Sequence, residues 1–299
     1  GHWMALGGGN NILFTKDFDG TLVKSAAQTI EITAETPETL SVRAGAGVVW
    51  DDLVAWCVER GVWGAENLSA IPGTVGAAPV QNIGAYGAEV KDIIGSVECF
   101  DIPTGKFTTL AAEHLGLGYR DSVFKRSLKG RTIVTAASFT LSKVARPNLR
   151  YAPLNDLREP TLDDIRRTVM EIRADKLPDP AVQGNAGSFF KNPVVPAALA
   201  HTLAATYPDI PLYPAGDGSA ASVGPGETEM TKLSAGWLIE QAGWKGRTEG
   251  RVGIHPRQAL IVVNTGGATG SEVVEFARRV AGDVYEKFGV ELSPEVIII

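Results

Sequence analysis

The sequence predicts an α+β protein of two regions with mixed sheets, and three observations carry that reading. Short β-type runs separated by glycine turns fill the first third of the chain. A well-marked helix then stops at LPDP (177–180), because proline cannot continue a helical hydrogen-bond ladder. Beyond it, a second block joins strand-like runs to a long amphipathic helix. With 299 residues, 44% apolar and 21% charged, the chain can bury a sizeable core and does not read as disordered.

The elements follow in order. NNILF (10–14), TLVKSA (21–26) and LSVRAGAG (40–47) predict strands bounded by Gly or Asp. Residues 51–60 predict a helix with Leu53, Val54 and Cys57 on one face and Gly61 as its stop. A glycine-dense stretch (71–89) comes next, then strand-like runs at 96–102 and 132–141. Thr161 opens a helix to about Lys176: Ile165, Val169 and Ile172 recur at helical spacing, and TLDD supplies a cap. The second block, from about 182 to 289, holds GNAGSFFKNP (184–193), LSAGWLIEQAGWKG (233–246), a strand at 258–264 and a helix from Ser271 to about Phe288. Val273, Ala277, Val280 and Val284 form that helix's apolar face. The β-branched tail SPEVIII (293–299) predicts re-entry into a sheet.

Composition also excludes. A net charge of −6 without a basic block argues against a nucleic-acid partner. No apolar run approaches the roughly 18 residues of a membrane span, and no basic start followed by an apolar stretch reads as a signal peptide. Cys57 and Cys99 lack metal or redox spacing, and so few cysteines suit a reducing, cytoplasmic setting. No metal site is expected, and nothing in the sequence specifies an oligomer.

Two glycine segments invite a functional reading. In LGGGNN (6–11), Gly7, Gly8 and Gly9 permit positive φ and close approach of backbone N–H groups to an anion, and Asn10 and Asn11 add side-chain donors. This is not a G-x-G-x-x-G turn opening a helix, and alone it reads equally as a terminal turn. In IPGTVGAAPVQNIGAYGAE (71–89), Gly73, Gly76, Gly84 and Gly87 alternate with alanines, with Thr74, Gln81, Asn82 and Tyr86 as exceptions. Two such segments suit an extended phosphate-containing cofactor, or else a tight structural packing site.

IPGTVGAAPVQNIGAYG, GYRDSVFK (118–125), GNAGSFFKNP and the terminal PEV stand in this order, and together they resemble the UDP-N-acetylenolpyruvoylglucosamine reductase (MurB) family across about residues 6–299. The resemblance implies a vanillyl-alcohol-oxidase-type (PCMH-like) FAD-binding region at 5–177, to which 291–299 returns, and a smaller α+β substrate-binding domain at 178–290. It implies FAD and NADPH as cofactors and a nucleotide-sugar substrate, reduced to UDP-N-acetylmuramate for peptidoglycan. The FAD-binding set is then Gly7, Gly8, Gly9, Asn10, Asn11, Gly73, Thr74, Gly76, Gln81, Asn82, Gly84, Ala85 and Tyr86. Members of the family usually carry one more βαβ-sized unit before the LGGGNN loop, so the resemblance implies an N-terminally shortened FAD-binding region.

Three residues inherit the family's chemistry: Ser188 as proton donor, Arg120 beside the flavin and the substrate carboxylate, and Glu295 in support of the intermediate. Tyr151, in LRYAPL, matches the subclass that closes a loop tyrosine over the diphosphate. Arg173, Lys176, Asn192, Tyr213, Lys245 and Gln258 match substrate-contact positions, whereas His255 reads as structural. Each has a plainer alternative: Ser188 as a turn serine, Arg120 as an ion pair with Asp121, Glu295 as an edge charge, Lys176 as a helix C-terminal cation, and Arg173 as a solvated helix face. Two whole-chain alternatives stay open: a cofactor-free protein that only binds nucleotide-sugar, and an FAD oxidoreductase with another substrate.

Overall fold

The computed structural model describes residues 1–215 and 229–299, which form two compact units. The first comprises Gly1–Asn10 and Asp19–Arg173; the second comprises Asn11–Phe18 and Ala174–Ile299.

The first unit contains β1 (Trp3–Ala5), β3 (Thr21–Val23), β4 (Ile30–Glu35), β5 (Thr39–Gly45), α1 (Trp50–Glu59), the hairpin β6 (Gly84–Ala85) and β7 (Ala88–Glu89), β8 (Ile94–Asp101), β9 (Lys106–Ala111), β10 (Thr132–Ser142) and most of α2 (Leu162–Lys176). Its main sheet is antiparallel in the order β4-β5-β10-β8-β9. The register aligns Ala44, Ala137 and Val97 in one row, with Val42 opposite Phe139 in another, and all five are buried. Trp50, Leu53, Val54 and Cys57 of α1 close this core, and the Trp50 ring meets Phe139 edge to face at 5.8 Å. The α1 face is therefore the one its spacing predicts. A smaller cluster joins Ile165 and Val169 of α2 to Leu154, with Trp63 and Leu157 packed against it. The Thr161–Asp164 capping box opens α2: each side chain accepts the other's backbone N–H.

The second unit contains β2 (Ile12–Leu13), β11 (Asn185–Ser188), β12 (Val194–Pro196), α3 (Ala197–Thr206), β13 (Leu212–Pro214), β14 (Met230–Leu233), α4 (Ala235–Gln241), β15 (Thr248–Glu249), β16 (Val252–Ile254), β17 (Ile261–Asn264), α5 (Gly270–Phe288) and β18 (Ile297–Ile298). It holds an antiparallel sheet β11-β17-β16-β15 and a second, β12-β14-β13. Val273, Phe276, Ala277, Val280, Val284 and Phe288 of α5 pack into the core with Val252, Ile254 and Val262. A Thr269–Glu272 capping box starts α5, and Gly289 at φ +65° ends it in the left-handed conformation that favours glycine.

Two expectations change. Among the described residues no single sheet is mixed: the larger sheets are antiparallel, and parallel pairing is confined to the ladders β1–β3 and β2–β18. The tail 291–299, expected to return to the first region, pairs with Ile12–Leu13, and both segments cluster with the second unit. Thr15 fastens it further, donating its backbone N–H and its hydroxyl to the Ile299 carbonyl.

Candidate functional site

In the first unit the two glycine segments lie against each other. A Cβ on Gly8 would stand 3.1 Å from the Gly73 Cα and 2.2 Å from Asn10 Oδ1, and one on Gly7 would meet Thr74 Oγ1 and Ala77 Cβ at 3.0 Å. A side chain at Gly8 would collide with the Asn10 amide and crowd the Gly73 backbone, and one at Gly7 would crowd the Thr74 and Ala77 side chains. The opposite side is open: a Cβ on Gly9 (φ +75°) would meet nothing within 4 Å. Gly73, at φ +126°, would bring a Cβ no nearer than 4.0 Å to any atom, Asn10 Oδ1. Segment 73–76 is pegged to the end of β5 and the start of α1, where Val75 N–H donates to the Val48 carbonyl, Gly76 N–H to Ala46, and Trp50 N–H to Gly73. One packed side and one open side of bare backbone suit an FAD pyrophosphate. Gly7, Gly8, Gly9, Asn10, Gly73, Thr74 and Gly76 would hold it.

The rest of the segment forms β6–β7, a two-residue hairpin with positive φ at Tyr86 (+48°) and Gly87 (+81°), as so tight a turn requires. Buried Asn82 donates to the Glu89 carboxylate (2.8 Å) and the Gly118 carbonyl (3.0 Å), and accepts the Lys91 N–H (3.0 Å). Its amide thus ties the glycine segment to the loop that carries Arg120. Arg120 adopts φ +55° and donates through Nη2 to the Gly84 carbonyl at 2.9 Å; Lys125 Nζ donates to the Arg120 carbonyl. Asp121, the alternative partner considered for Arg120, makes an ion pair with Arg126.

Tyr86 meets Tyr151 edge to face at 5.4 Å. Burial raises the pKa of the Tyr86 phenol, opposed by Arg173. Arg173 is not a solvated helix-face residue: burial lowers its pKa, with Tyr86 and Asp51 opposing, and its Nε donates to the Ala70 carbonyl at 3.0 Å. Sequence reading missed Asn67 and Asn148, whose amides donate to the Tyr86 and Gly87 carbonyls, respectively, and hold the turn. It also missed Asp51, which takes Arg166 in a two-pronged pair at 2.7 and 2.9 Å. These partners are far apart in sequence, so no motif signals them.

In the second unit, Ser188 ends β11 at a bulge. Asn185 pairs with Val263 and Ser188 with Ile261, leaving one extra residue on β11, and Gly187 there has φ +71°. Such bulges re-aim the neighbouring side chain. Phe189 and Phe190 are buried, their rings edge to face at 5.2 Å. Glu295 lies in a bend just after the isolated Phe190–Pro294 bridge: its N–H donates to the Phe189 carbonyl, and Lys191 N–H donates to Ser293. Asn11, expected in the cofactor set, belongs to this unit and donates to the Glu295 carbonyl. Asn192 Oδ1 accepts the N–H of Ala235 at the start of α4, while Gln258 Oε1 accepts that of Leu260. Lys245 pairs with Glu240, Lys176 is exposed at the end of α2, and Tyr213 is 40% exposed on β13. His255 is buried, and burial together with Arg257 lowers its pKa, in keeping with a structural role. Among the described residues no His, Cys, Asp or Glu cluster is suited to a metal, and no helix is long and apolar enough to cross a membrane.

The fold and the bare-backbone cradle define a flavoprotein: residues 2–111 match the FAD binding domain family. Residues 179–299 match the C-terminal domain of UDP-N-acetylenolpyruvoylglucosamine reductase. A reductase of that name from Bacteroides fragilis is 46% identical over 99% of this chain and 87% of its own length. One from Chromobacterium violaceum is 48% identical over 98% of this chain and 85% of its own. The crystal structure of the Thermus caldophilus reductase gives a TM-score of 0.65 at 26% identity, covering 99% of this chain and 85% of that one. The chain belongs to the UDP-N-acetylenolpyruvoylglucosamine reductase family.

Proposed function

We propose that the chain reduces UDP-N-acetylglucosamine enolpyruvate to UDP-N-acetylmuramate for peptidoglycan synthesis, with FAD held by the first unit and NADPH as hydride donor. Besides family membership, the observation that carries the reading is the Gly187 bulge, which sets Ser188 beside two buried rings and one residue before the carbonyl that accepts the Glu295 N–H. When bound, FAD would supply hydride drawn from NADPH for the enolpyruvyl C3, which would put negative charge on C2 and the adjoining carboxylate.

Arg120 is assigned to that carboxylate, because a guanidinium fork can form two parallel hydrogen bonds and a fixed cation lowers the cost of charge that develops during reaction. Its left-handed backbone and its bond to Gly84 fix where the fork points. Ser188 is assigned to protonate C2: a hydroxyl is a weak acid, but an enolate-like carbon is basic enough to take its proton. Phe189 and Phe190 hold its backbone and keep water away. Glu295 is assigned to support the intermediate from the bend bonded to Phe189. Tyr151, Arg173, Lys176, Asn192, Tyr213, Lys245 and Gln258 are assigned to the nucleotide-sugar, lysine and tyrosine suiting its diphosphate. Lys245 gives up an exposed ion pair to do so, at a cost of about 1 kcal/mol or less. The setting proposed is the cytoplasm, with which two free, buried cysteines agree.

The test is the visible spectrum of the purified chain after FAD is added and excess removed, followed by NADPH oxidation with the enolpyruvyl substrate. Retained flavin bands and substrate-dependent oxidation are expected. A colourless protein that still binds UDP-sugar supports the cofactor-free alternative, and flavin turnover on a different acceptor supports the other.

A further inference from the structure

Ala70 lies just ahead of the bare-backbone segment and has φ +57°, a left-handed conformation that costs an alanine but not a glycine. Charged side chains hold it on both sides. Its N–H donates to Asp51 Oδ1 at 2.6 Å, and its carbonyl accepts Arg173 Nε at 3.0 Å. Arg166 grips both oxygens of Asp51, and these two side chains are only 14% and 28% exposed, respectively. Burial acts to raise the Asp51 pKa, but Arg166, the Ala70 N–H and Arg173 together bring it below the ordinary value, so the acceptor is charged. The pegs further along, at Gly73, Val75 and Gly76, are backbone-to-backbone bonds. The clamp on Ala70 is made by side chains.

We propose that Asp51, Arg166 and Arg173 are positioning residues that hold Ala70 left-handed and thereby aim segment 71–77 at the flavin. The inference rests on the FAD reading. Pro72 keeps Ile71 extended, so the turn at residue 70 sets where Gly73 begins. Without the clamp, Ala70 relaxes toward negative φ and the segment leaves the position in which it meets Gly7 and Gly8.

The test measures the FAD dissociation constant of the full-length apoprotein by flavin fluorescence, and its Tm by circular dichroism. Asp51→Asn is expected to weaken FAD binding about tenfold, equivalent to about 1.4 kcal/mol. Adding Ala70→Gly to that variant is expected to recover most of the loss, because glycine takes the left-handed turn unaided. Loss of packing alone would not be repaired by a glycine at residue 70. If Asp51→Asn does not fold, Arg166→Met leaves the carboxylate in place but unguided, and a smaller loss, about threefold, is expected. Unchanged affinity in the folded variant, or no recovery with glycine, overturns the clamp. A wild-type chain that takes up no FAD overturns the flavin reading instead.

Discussion

The backbone N–H of Glu295 donates to the carbonyl of Phe189 at 2.8 Å, so the residue after Ser188 and the residue assigned to assist it are joined by one hydrogen bond. The backbone separation of these two residues is set by the isolated bridge between Phe190 and Pro294 and the hydrogen bonds on either side of it.

Ser188→Ala is expected to leave reduction of the flavin by NADPH unchanged and to slow its reoxidation by the enolpyruvyl substrate, by roughly a hundredfold to ten-thousandfold. Stopped-flow absorbance separates the two half-reactions. Equal slowing of both would remove the proton-donor role.

Gly187→Ala tests the bulge. The new methyl meets nothing within 4 Å, so any effect comes from the backbone, which must hold φ +71°. Destabilisation of about 1–2 kcal/mol is expected in urea unfolding, with a loss of reoxidation rate beyond what that stability change explains. Wild-type stability and rate together would mean that the bulge does not aim Ser188.

Asn82→Ala removes three hydrogen bonds, taking away the acceptor of the Lys91 N–H and leaving the Gly118 carbonyl with the Asp121 N–H. The cost should reach about 2 kcal/mol or more, and the loop carrying Arg120 should loosen. Hydrogen exchange at 116–121 reads the second effect, and unchanged protection there would show that the tie does not hold the loop.

Glu66→Gln gives a pH signature. Burial raises the Glu66 pKa despite N–H bonds from its own turn and Gly64. A raised pKa contributes stability below the ordinary glutamate value and loses it as pH climbs through the folded-state value. Wild type should therefore lose Tm relative to Glu66→Gln as pH rises from about 4.5. A relative gain would contradict the burial argument.

Helices were the most legible part of the sequence. Residues 51–60 and Ser271 to Phe288 are observed as Trp50–Glu59 and Gly270–Phe288, because apolar spacing and end signals act locally. Strand β4 escaped because only Ile30 is partly covered and the other five residues are exposed, leaving no alternation to read. The same logic divides the site. Glycine segments and the Ser188 turn are written in consecutive residues, whereas the hold of Asp51 and Arg173 on Ala70 joins three distant stretches and leaves no trace in any one of them.

The pairing of Ile12–Leu13 with Ile297–Ile298 has a consequence for synthesis. Thr15 and Ile299, bonded in the finished structure, are 284 residues apart, so the segment from Asn11 to Phe18 leaves the ribosome long before its partner strand exists. It must wait unpaired while the intervening chain is made. Closure of this ladder is thus a late, slow event, and a stalled nascent chain displays an apolar strand edge for chaperones to cover.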